Sequence, residues 1–316
     1  MISTVALLAY AAVLAVLGGR LLRRVGRLER APRLGLVLWQ AATVSVLGAV
    51  VLAGLTLVVP AGRPSHGLAD ILNACQTLLQ SHYGGVKQPV GAYAGLLIAA
   101  GVSAWTAACV IVTFAVTARR RSEHVRVLAV VARRRPDLDA LVLEHDQPVV
   151  YCMPGRRRCV VLSTGALERL TEAQLAAVLA HERAHLGARH DIAVNIAGAI
   201  AWAFPGVPLF RAARHEIAHL VELRADDVAA QRHDRATIAA ALVTVGAGRI
   251  PATALAAGGP AAIVRVRRLL GPHRRLSRPA RAAGALGAGL LIAVPVVLAA
   301  NPAVLAILER HCHLPL

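Results

Sequence analysis

Four long apolar stretches decide what this sequence can fold into. They run near Ile2–Gly19, Leu34–Pro60, Gly91–Thr117 and Ala282–Leu308. A helix needs about 20 predominantly apolar residues to cross the hydrocarbon layer of a bilayer, and each stretch supplies roughly that many. The sequence therefore predicts four transmembrane helices, and a lipid bilayer is the first partner that it implies.

The composition also favours membrane helices over a β-rich core. Hydrophobic residues make up 57% of the 316 residues, charged residues 16% and aromatic residues only 3%, so the apolar mass is aliphatic. The first stretch has no basic residues before it and no small-residue cleavage site ahead of the arginines that follow. We therefore expect it to be a retained span rather than a removed signal peptide.

The positive charge is concentrated at the edges of the apolar stretches. The formal net charge is +18, and the loop between the first two stretches holds Arg20, Arg23, Arg24, Arg27, Arg30 and Arg33 against one glutamate. Loops rich in arginine stay in the cytosol, so this loop is predicted to be cytosolic and the N-terminus external. Arg119–Arg121 follow the third stretch on the same side. Because orientation explains the charge, no direct nucleic-acid partner is expected.

This topology divides the chain into three parts. Residues 1–117 form an N-terminal membrane domain with three spans, 118–281 a cytosolic domain, and 282–316 the final span with a short external tail. Cys152 and Cys159 would lie in the reducing cytosol, where free thiols are expected. Cys75 and Cys312 would lie outside, where a bridge between them can form.

A fifth apolar stretch, Ile192–Phe210, is almost long enough to cross but contains Asn195, Pro205 and Pro208. If it crossed, the segments on either side of it would face opposite sides of the membrane. The motifs described below need both segments together. We expect a buried helix, a hairpin, or a membrane-surface segment that re-enters on the same side.

The cytosolic domain shows a β-hairpin and two helices. Val149–Met153 and Arg158–Ser163 are short β-like runs around Pro154-Gly155. Thr171 and Gln174 form a capping box that opens a helix running to about His190. A second helix is predicted from about Ala212 to Gln231.

The first of these helices carries a metal-binding pattern. His181 and His185 are four residues apart, so both imidazoles project from one face and can bind one Zn²⁺. Glu182 can reach the metal-bound water and take its proton as the water attacks a carbonyl. On the second helix, Glu222 is the candidate third ligand. Asp226, one turn later, can accept a hydrogen bond from a ligand imidazole; the alternative for both is a solvated helix face.

A second copy of the pattern, His215-Glu216-Ile217-Ala218-His219, lies on the same helix as Glu222. Ligands at 215, 219 and 222 would be spread over roughly 10 Å of one straight helix, which would strain a tetrahedral site. The zinc, one ion per chain, is therefore assigned to the first copy, and His219 stays a candidate group beside the metal or the substrate. Candidates for oxyanion stabilisation stay open among His190, Asp191 and Arg224.

Three segments, Val178–Leu186, Val160–Gly165 and Glu222–Asp227, resemble the BlaR/MecR-type membrane metallopeptidases. The resemblance implies that His181, His185 and Glu222 bind zinc and that Glu182 is the catalytic base. It also implies cytosolic cleavage of a winged-helix transcriptional repressor in response to an external signal. The antibiotic-sensing members carry a penicillin-binding domain after the last span, whereas this chain ends at Leu316, so direct β-lactam sensing is not expected.

The predicted fold is a mainly α membrane protein with a cytosolic zincin-like α+β metallopeptidase domain, in which a two-helix zinc site lies beside a small β-hairpin. The predicted function is zinc-dependent endopeptidase cleavage of a cytosolic protein in a signalling pathway. Two alternatives remain: an HtpX-like membrane quality-control protease and a non-catalytic membrane sensor or scaffold. An intramembrane protease is disfavoured because the motif helix is too polar for the lipid core.

Overall fold

The computed structural model describes residues 2–24, 28–58, 90–155, 158–248, 255–272 and 276–311. The first helix, α1 (Ile2–Arg24), contains a π-helical turn at Leu14–Gly18. A 3₁₀ turn at Leu28–Arg30 leads into α2 (Pro32–Val58), and α3 covers Val90–Val131. Cys75 and Cys312 lie outside the described residues, so the bridge between them stays a prediction.

The third helix runs well past the end of the predicted span. It continues from Thr117 to Val131 because residues 118–131 contain neither glycine nor proline and include several good helix formers. Near its start, α3 crosses α2 closely: a side chain at Gly95 would collide with the backbone oxygen of Gly54. The result is a single helix that leads from the apolar layer into the polar domain.

A small mixed sheet follows this helix. It consists of β1 (Ala132–Arg135), β2 (Ala140–Leu143), β3 (Val150–Met153) and β4 (Cys159–Ser163), in the order β1-β2-β4-β3. β2 and β4 are parallel, whereas β3 and β4 form the antiparallel hairpin that the sequence predicts. Cys152 and Cys159 are free thiols on its two arms. Among the strands that the structure describes, β3 lies at one edge of the sheet.

Seven helices complete the described chain. They are α4 (Thr164–Arg169), α5 (Glu172–Ala188), α6 (His190–Ala203), α7 (Pro208–Ala229), α8 (Arg235–Gly248), α9 (Leu255–Leu270) and α10 (Arg278–His311). The predicted capping box at Thr171 and Gln174 is confirmed at the start of α5. Arg189 ends α5 in the left-handed conformation, with φ of 50°, which turns the chain into α6.

Four of the described helices are long and apolar enough to cross a membrane: Ile2–Arg24, Pro32–Val58, Val90–Val131 and Arg278–Ala300. They contain the four stretches that the sequence predicts, as far as those stretches are described. Their outward faces carry large exposed apolar side chains, among them Leu97, Ile111 and Val297. Such faces are typical of helices whose solvent is lipid.

The fifth apolar stretch forms a helical hairpin. α6 leads out to a turn at Phe204–Val207, and α7 leads back. One shared core joins this hairpin to the N-terminal helices: Leu7 of α1 and Trp39 of α2 are buried together with Leu209 and Phe210 of α7. Of the alternatives predicted for Ile192–Phe210, the structure has the hairpin, and α5 and α7 thereby meet on one side.

Candidate metal centre

Helices α5 and α7 bring the predicted ligands together. His181 and His185 lie on successive turns of α5, with 3.1 Å between their Nε2 atoms. Glu222 on α7 places Oε2 3.5 Å from His181 Nε2 and Oε1 3.6 Å from His185 Nε2. One ligand atom from each residue lies within 4.8 Å of the others. Two imidazoles and one carboxylate that leave a position open are the donor set of a catalytic zinc site, so the residues fit that ion.

Asp226 contacts one of the two candidate histidine ligands. Its side chain is fully buried, and Oδ1 lies 3.0 Å from His181 Nδ1. A hydrogen bond from Nδ1–H to this carboxylate fixes the tautomer and makes Nε2 the nitrogen that faces the cluster. Glu222 and Asp226 therefore do not form a solvated helix face.

His190 supports the second histidine in a similar way. Its Nδ1 lies 3.0 Å from His185 Nδ1, and its side chain is buried at the start of α6. With His185 Nε2 facing the cluster, its Nδ1–H can donate to His190. The next residue, Asp191, forms an ion pair with Arg121 of α3 at 3.0 Å. Both residues were open candidates for oxyanion stabilisation, and in the structure both have other partners.

Arg265 of α9 is a site residue that the sequence did not reveal. Its Nε and Nη2 donate to the two oxygens of Asp226 at 2.8 and 2.7 Å, and its Nη1 donates to Glu222 Oε2 at 2.8 Å. Nη2 also lies 3.3 Å from His181 Nε2. A planar guanidinium can hold two carboxylates at once in this way. The apolar-basic segment around Arg265 offers no local pattern that marks one arginine among several.

Glu182 lines the same cavity as the ligands. The cavity has a volume of about 290 Å³ and is lined by α5, α7, α8 and β3, with Arg265 at one side. Burial raises the pKa of Glu182, so its carboxylate is a stronger base than an exposed one. Cys152 of β3 hydrogen-bonds Glu182, and burial together with this carboxylate raises the pKa of the thiol to about 12. Cys152 was expected only as a free strand thiol, and its place beside Glu182 depends on the fold.

The pKa values of the three candidate ligands are shifted in different directions by burial and by neighbouring charges. Burial opposes a proton on His181, but hydrogen bonds to Asp226 and Glu222 outweigh it and raise its pKa to about 9. Burial lowers the pKa of His185 to about 4. Burial would raise the pKa of Glu222, yet His181 and Arg265 lower it to about 2. The carboxylates of Asp226 and Glu222 favour a proton on His181. They would equally favour a metal ion bound in the place of that proton.

The second copy of the pattern does not converge in this way. His215 is exposed, and His219 Nε2 lies 3.5 Å from Glu29 Oε1 in the 3₁₀ turn between α1 and α2. Within the described residues, the group of His, Cys, Asp or Glu side chains that could hold a metal ion is His181, His185 and Glu222. The geometry agrees with the assignment to the first copy.

This fold and site define a metallopeptidase: two histidines and a glutamate from two helices, an adjacent glutamate in the cavity, and an edge strand beside it. The sequence model of Peptidase family M48 matches residues 115–273, which is half of the chain, and the chain belongs to this family. No curated protein and no solved structure matches the chain significantly. Because the family consists of zinc metallopeptidases, zinc is the ion implied for the cluster.

Proposed function

We propose that this protein is a membrane-embedded, zinc-dependent endopeptidase. The observation that carries the proposal is the convergence of His181, His185 and Glu222 in one cavity with Glu182. A non-catalytic sensor would not need a buried base beside the ligands. Membership of Peptidase family M48 supports the same conclusion.

The four long apolar helices support insertion in the cell membrane. The arginine-rich loop after α1 and Arg119–Arg121 on α3 favour an external N-terminus and a cytosolic peptidase domain. The domain division at residues 117 and 281 follows from this orientation. The orientation and the domain division both belong to the proposal, and the distribution of arginines supports them.

The residues of the site would divide the chemistry among them. The zinc would be held by His181, His185 and Glu222. The bound ion would act as a Lewis acid that polarises a carbonyl and lowers the pKa of a water molecule. Glu182 accepts a proton from the attacking water and passes it to the leaving nitrogen. Asp226 and His190 orient the two imidazoles through their Nδ1 atoms. Arg265 keeps Asp226 and Glu222 ionised and in place.

The edge strand β3 favours a polypeptide substrate bound in extended form. Tyr151 and Cys152 of β3 line the cavity, and among the described strands β3 pairs on one side only, with β4. A peptide can add to such an edge through main-chain hydrogen bonds and lie across Glu182. Because this mode of binding needs no chain end, it favours internal cleavage.

The resemblance to BlaR/MecR-type members supports a finer proposal. The substrate would be a cytosolic protein, for which a winged-helix repressor is the candidate, and its cleavage would transmit an external signal. The HtpX-like alternative, quality control, predicts broad cleavage of misfolded membrane proteins instead. Incubation with a panel of folded repressors and unfolded membrane proteins separates the two by which set is cut.

The proposal is tested by cleavage of an unfolded protein such as casein by the purified chain in detergent. We expect zinc-dependent fragments from the wild type and about 10²–10⁴-fold less from Glu182→Gln, which keeps the shape but cannot accept the proton. His215→Ala, at an exposed position, is the matched control and should cleave as the wild type does. Equal cleavage by Glu182→Gln and the wild type would refute the proposed role of Glu182.

A further inference from the structure

The tip of the α6–α7 hairpin is unusually apolar for a domain predicted to be cytosolic. No charged residue occurs from Ile192 to Phe210, and Asn195, near the base of α6, is the one side chain there with a polar amide. Trp202 at the tip is 60% exposed, and Ile196 is exposed on the same helix. A water-exposed tryptophan beside an uncharged turn needs an explanation that packing within the chain does not give.

The hairpin lies among helices that are long enough to span. Trp105 in the apolar part of α3 donates its indole N–H to the backbone oxygen of Ala203 at 3.0 Å. Ala212 of α7 contacts α1 where Gly19 leaves room for it. Trp105 is itself half exposed, so exposed apolar side chains occur both on the span and on the hairpin near this contact.

The depth of the tip can be measured along α3. Trp105 lies 14 residues before Arg119, the first arginine after the third apolar stretch. At 1.5 Å per residue this is about 21 Å of helix, against a hydrocarbon layer about 30 Å thick. At its other end, α6 is tied to α3 by the ion pair of Asp191 with Arg121. Two contacts therefore hold α6 along α3, with its base at the arginines and its tip deep beside the span.

Several backbone groups of the turn have hydrogen-bond partners within the protein. Phe204 N–H donates to the oxygen of Ile200 at 3.0 Å, and Val207 N–H donates to that of Phe204 at 3.1 Å. Phe210 N–H donates to the backbone oxygen of Val207 at 3.2 Å, and the indole N–H of Trp105 donates to the backbone oxygen of Ala203. Non-helical backbone is tolerated at membrane depth when its polar groups find partners inside the protein. The four bonds described above meet that requirement for part of the turn.

We propose that the α6–α7 hairpin is a re-entrant membrane element whose tip, around Trp202–Val207, contacts lipid acyl chains. The proposal rests on the membrane insertion given under Proposed function. Glu222 lies 14 residues after Pro208, about 21 Å along α7. That length is similar to the depth of the tip, so the metal centre lies near the level of the lipid headgroups.

Cysteine accessibility in phosphatidylcholine nanodiscs tests the proposal, because both membrane faces are open in a nanodisc. Gly206→Cys places a thiol in the turn, and Gly187→Cys, in the last turn of α5, is the matched control. Both glycines are exposed and have no atom within 4 Å of an added Cβ, so both substitutions are tolerated. Labelling of the wild-type protein measures the background signal that the native cysteines contribute.

We expect a membrane-impermeant maleimide to label Gly187→Cys rapidly and Gly206→Cys at least about tenfold more slowly. In nanodiscs with brominated acyl chains, the fluorescence that Trp202 contributes, measured against Trp202→Phe, should be quenched. Equal labelling of the two cysteines, or Trp202 fluorescence that brominated lipid leaves unchanged, would overturn the hairpin proposal. A chain that does not incorporate into nanodiscs would instead overturn the membrane insertion on which the proposal rests.

Discussion

Replacing Arg265 by methionine removes the charge that holds the two carboxylates of the site. Methionine keeps most of the apolar stem of arginine, so the change is mainly electrostatic. Asp226 is fully buried and would lose two hydrogen bonds, and Glu222 would lose one. We therefore expect the loss to appear as a lower free energy of unfolding, even without zinc.

The magnitude follows from the burial of this ion pair. Removing one partner of a buried pair costs about 3–5 kcal/mol, because the other charge stays in the interior uncompensated. Asp226 keeps its contact with His181, whose pKa of about 9 lets it carry a proton at neutral pH. That remaining partner places the expected loss for Arg265→Met at the lower end, about 3 kcal/mol.

Urea unfolding in detergent with a chelator present measures this loss without a contribution from metal binding. Arg267→Met on the same helix is the control: Arg267 is exposed, and its loss should change stability by less than about 0.5 kcal/mol. The double variant Arg265→Met/Asp226→Leu should recover stability relative to Arg265→Met, because the fully buried carboxylate of Asp226 is removed together with its partner. A loss below about 1 kcal/mol for Arg265→Met, or no recovery in the double variant, would refute the reasoning.

Three further predictions concern the site. Near neutral pH His181, with a pKa of about 9, is the one ligand that must lose a proton to bind zinc, since the pKa of His185 is about 4. Zinc affinity should therefore rise about tenfold per pH unit between about pH 6 and 8, as measured by competition with a chelator. A zinc affinity that does not rise over this range would contradict the prediction. His190→Leu removes the acceptor for His185 Nδ1–H and should weaken zinc binding about 10–100-fold. His190→Asn keeps an acceptor and should keep most of the zinc affinity. Equal losses of zinc affinity in the two variants would mean that His190 acts through packing alone. The thiol of Cys152, with a pKa of about 12, should react with iodoacetamide at pH 8 on the order of 10³-fold more slowly than an ordinary thiol. Peptide mass spectrometry measures this rate. A reaction as fast as that of an ordinary thiol would mean that Cys152 does not lie beside Glu182.

The parts of the fold that local patterns specify were predictable. Long apolar runs mark the helices, and the capping box marks the start of α5. The spacing of His181 and His185 fixes a shared helix face, and the preference for this pair over His215 and His219 followed from the strain that a one-helix site would carry. The place of Asp226 one turn after Glu222 predicts a contact with a ligand imidazole, and in the structure Asp226 lies beside His181.

The remaining features depend on tertiary contacts. Arg265 reaches Asp226 from a helix 39 residues further along, and nothing near it in sequence distinguishes it from Arg267 or Arg268. Strand β1 consists of Ala132 and three arginines, so it has no alternation of apolar residues; pairing with β2 makes it a strand. The role of His190 depends on the left-handed turn at Arg189, which brings its ring back onto His185.

Zinc content is the most direct test of the central claim, which is that His181, His185 and Glu222 hold one zinc ion. Purified wild type, Glu182→Gln and His215→Ala should each contain about one zinc per chain, whereas His181→Ala should contain almost none, because a site with one fewer ligand loses most of its affinity. Loss of zinc from His215→Ala with retention by His181→Ala would contradict the ligand assignment. A wild type that binds no zinc would contradict the account as a whole.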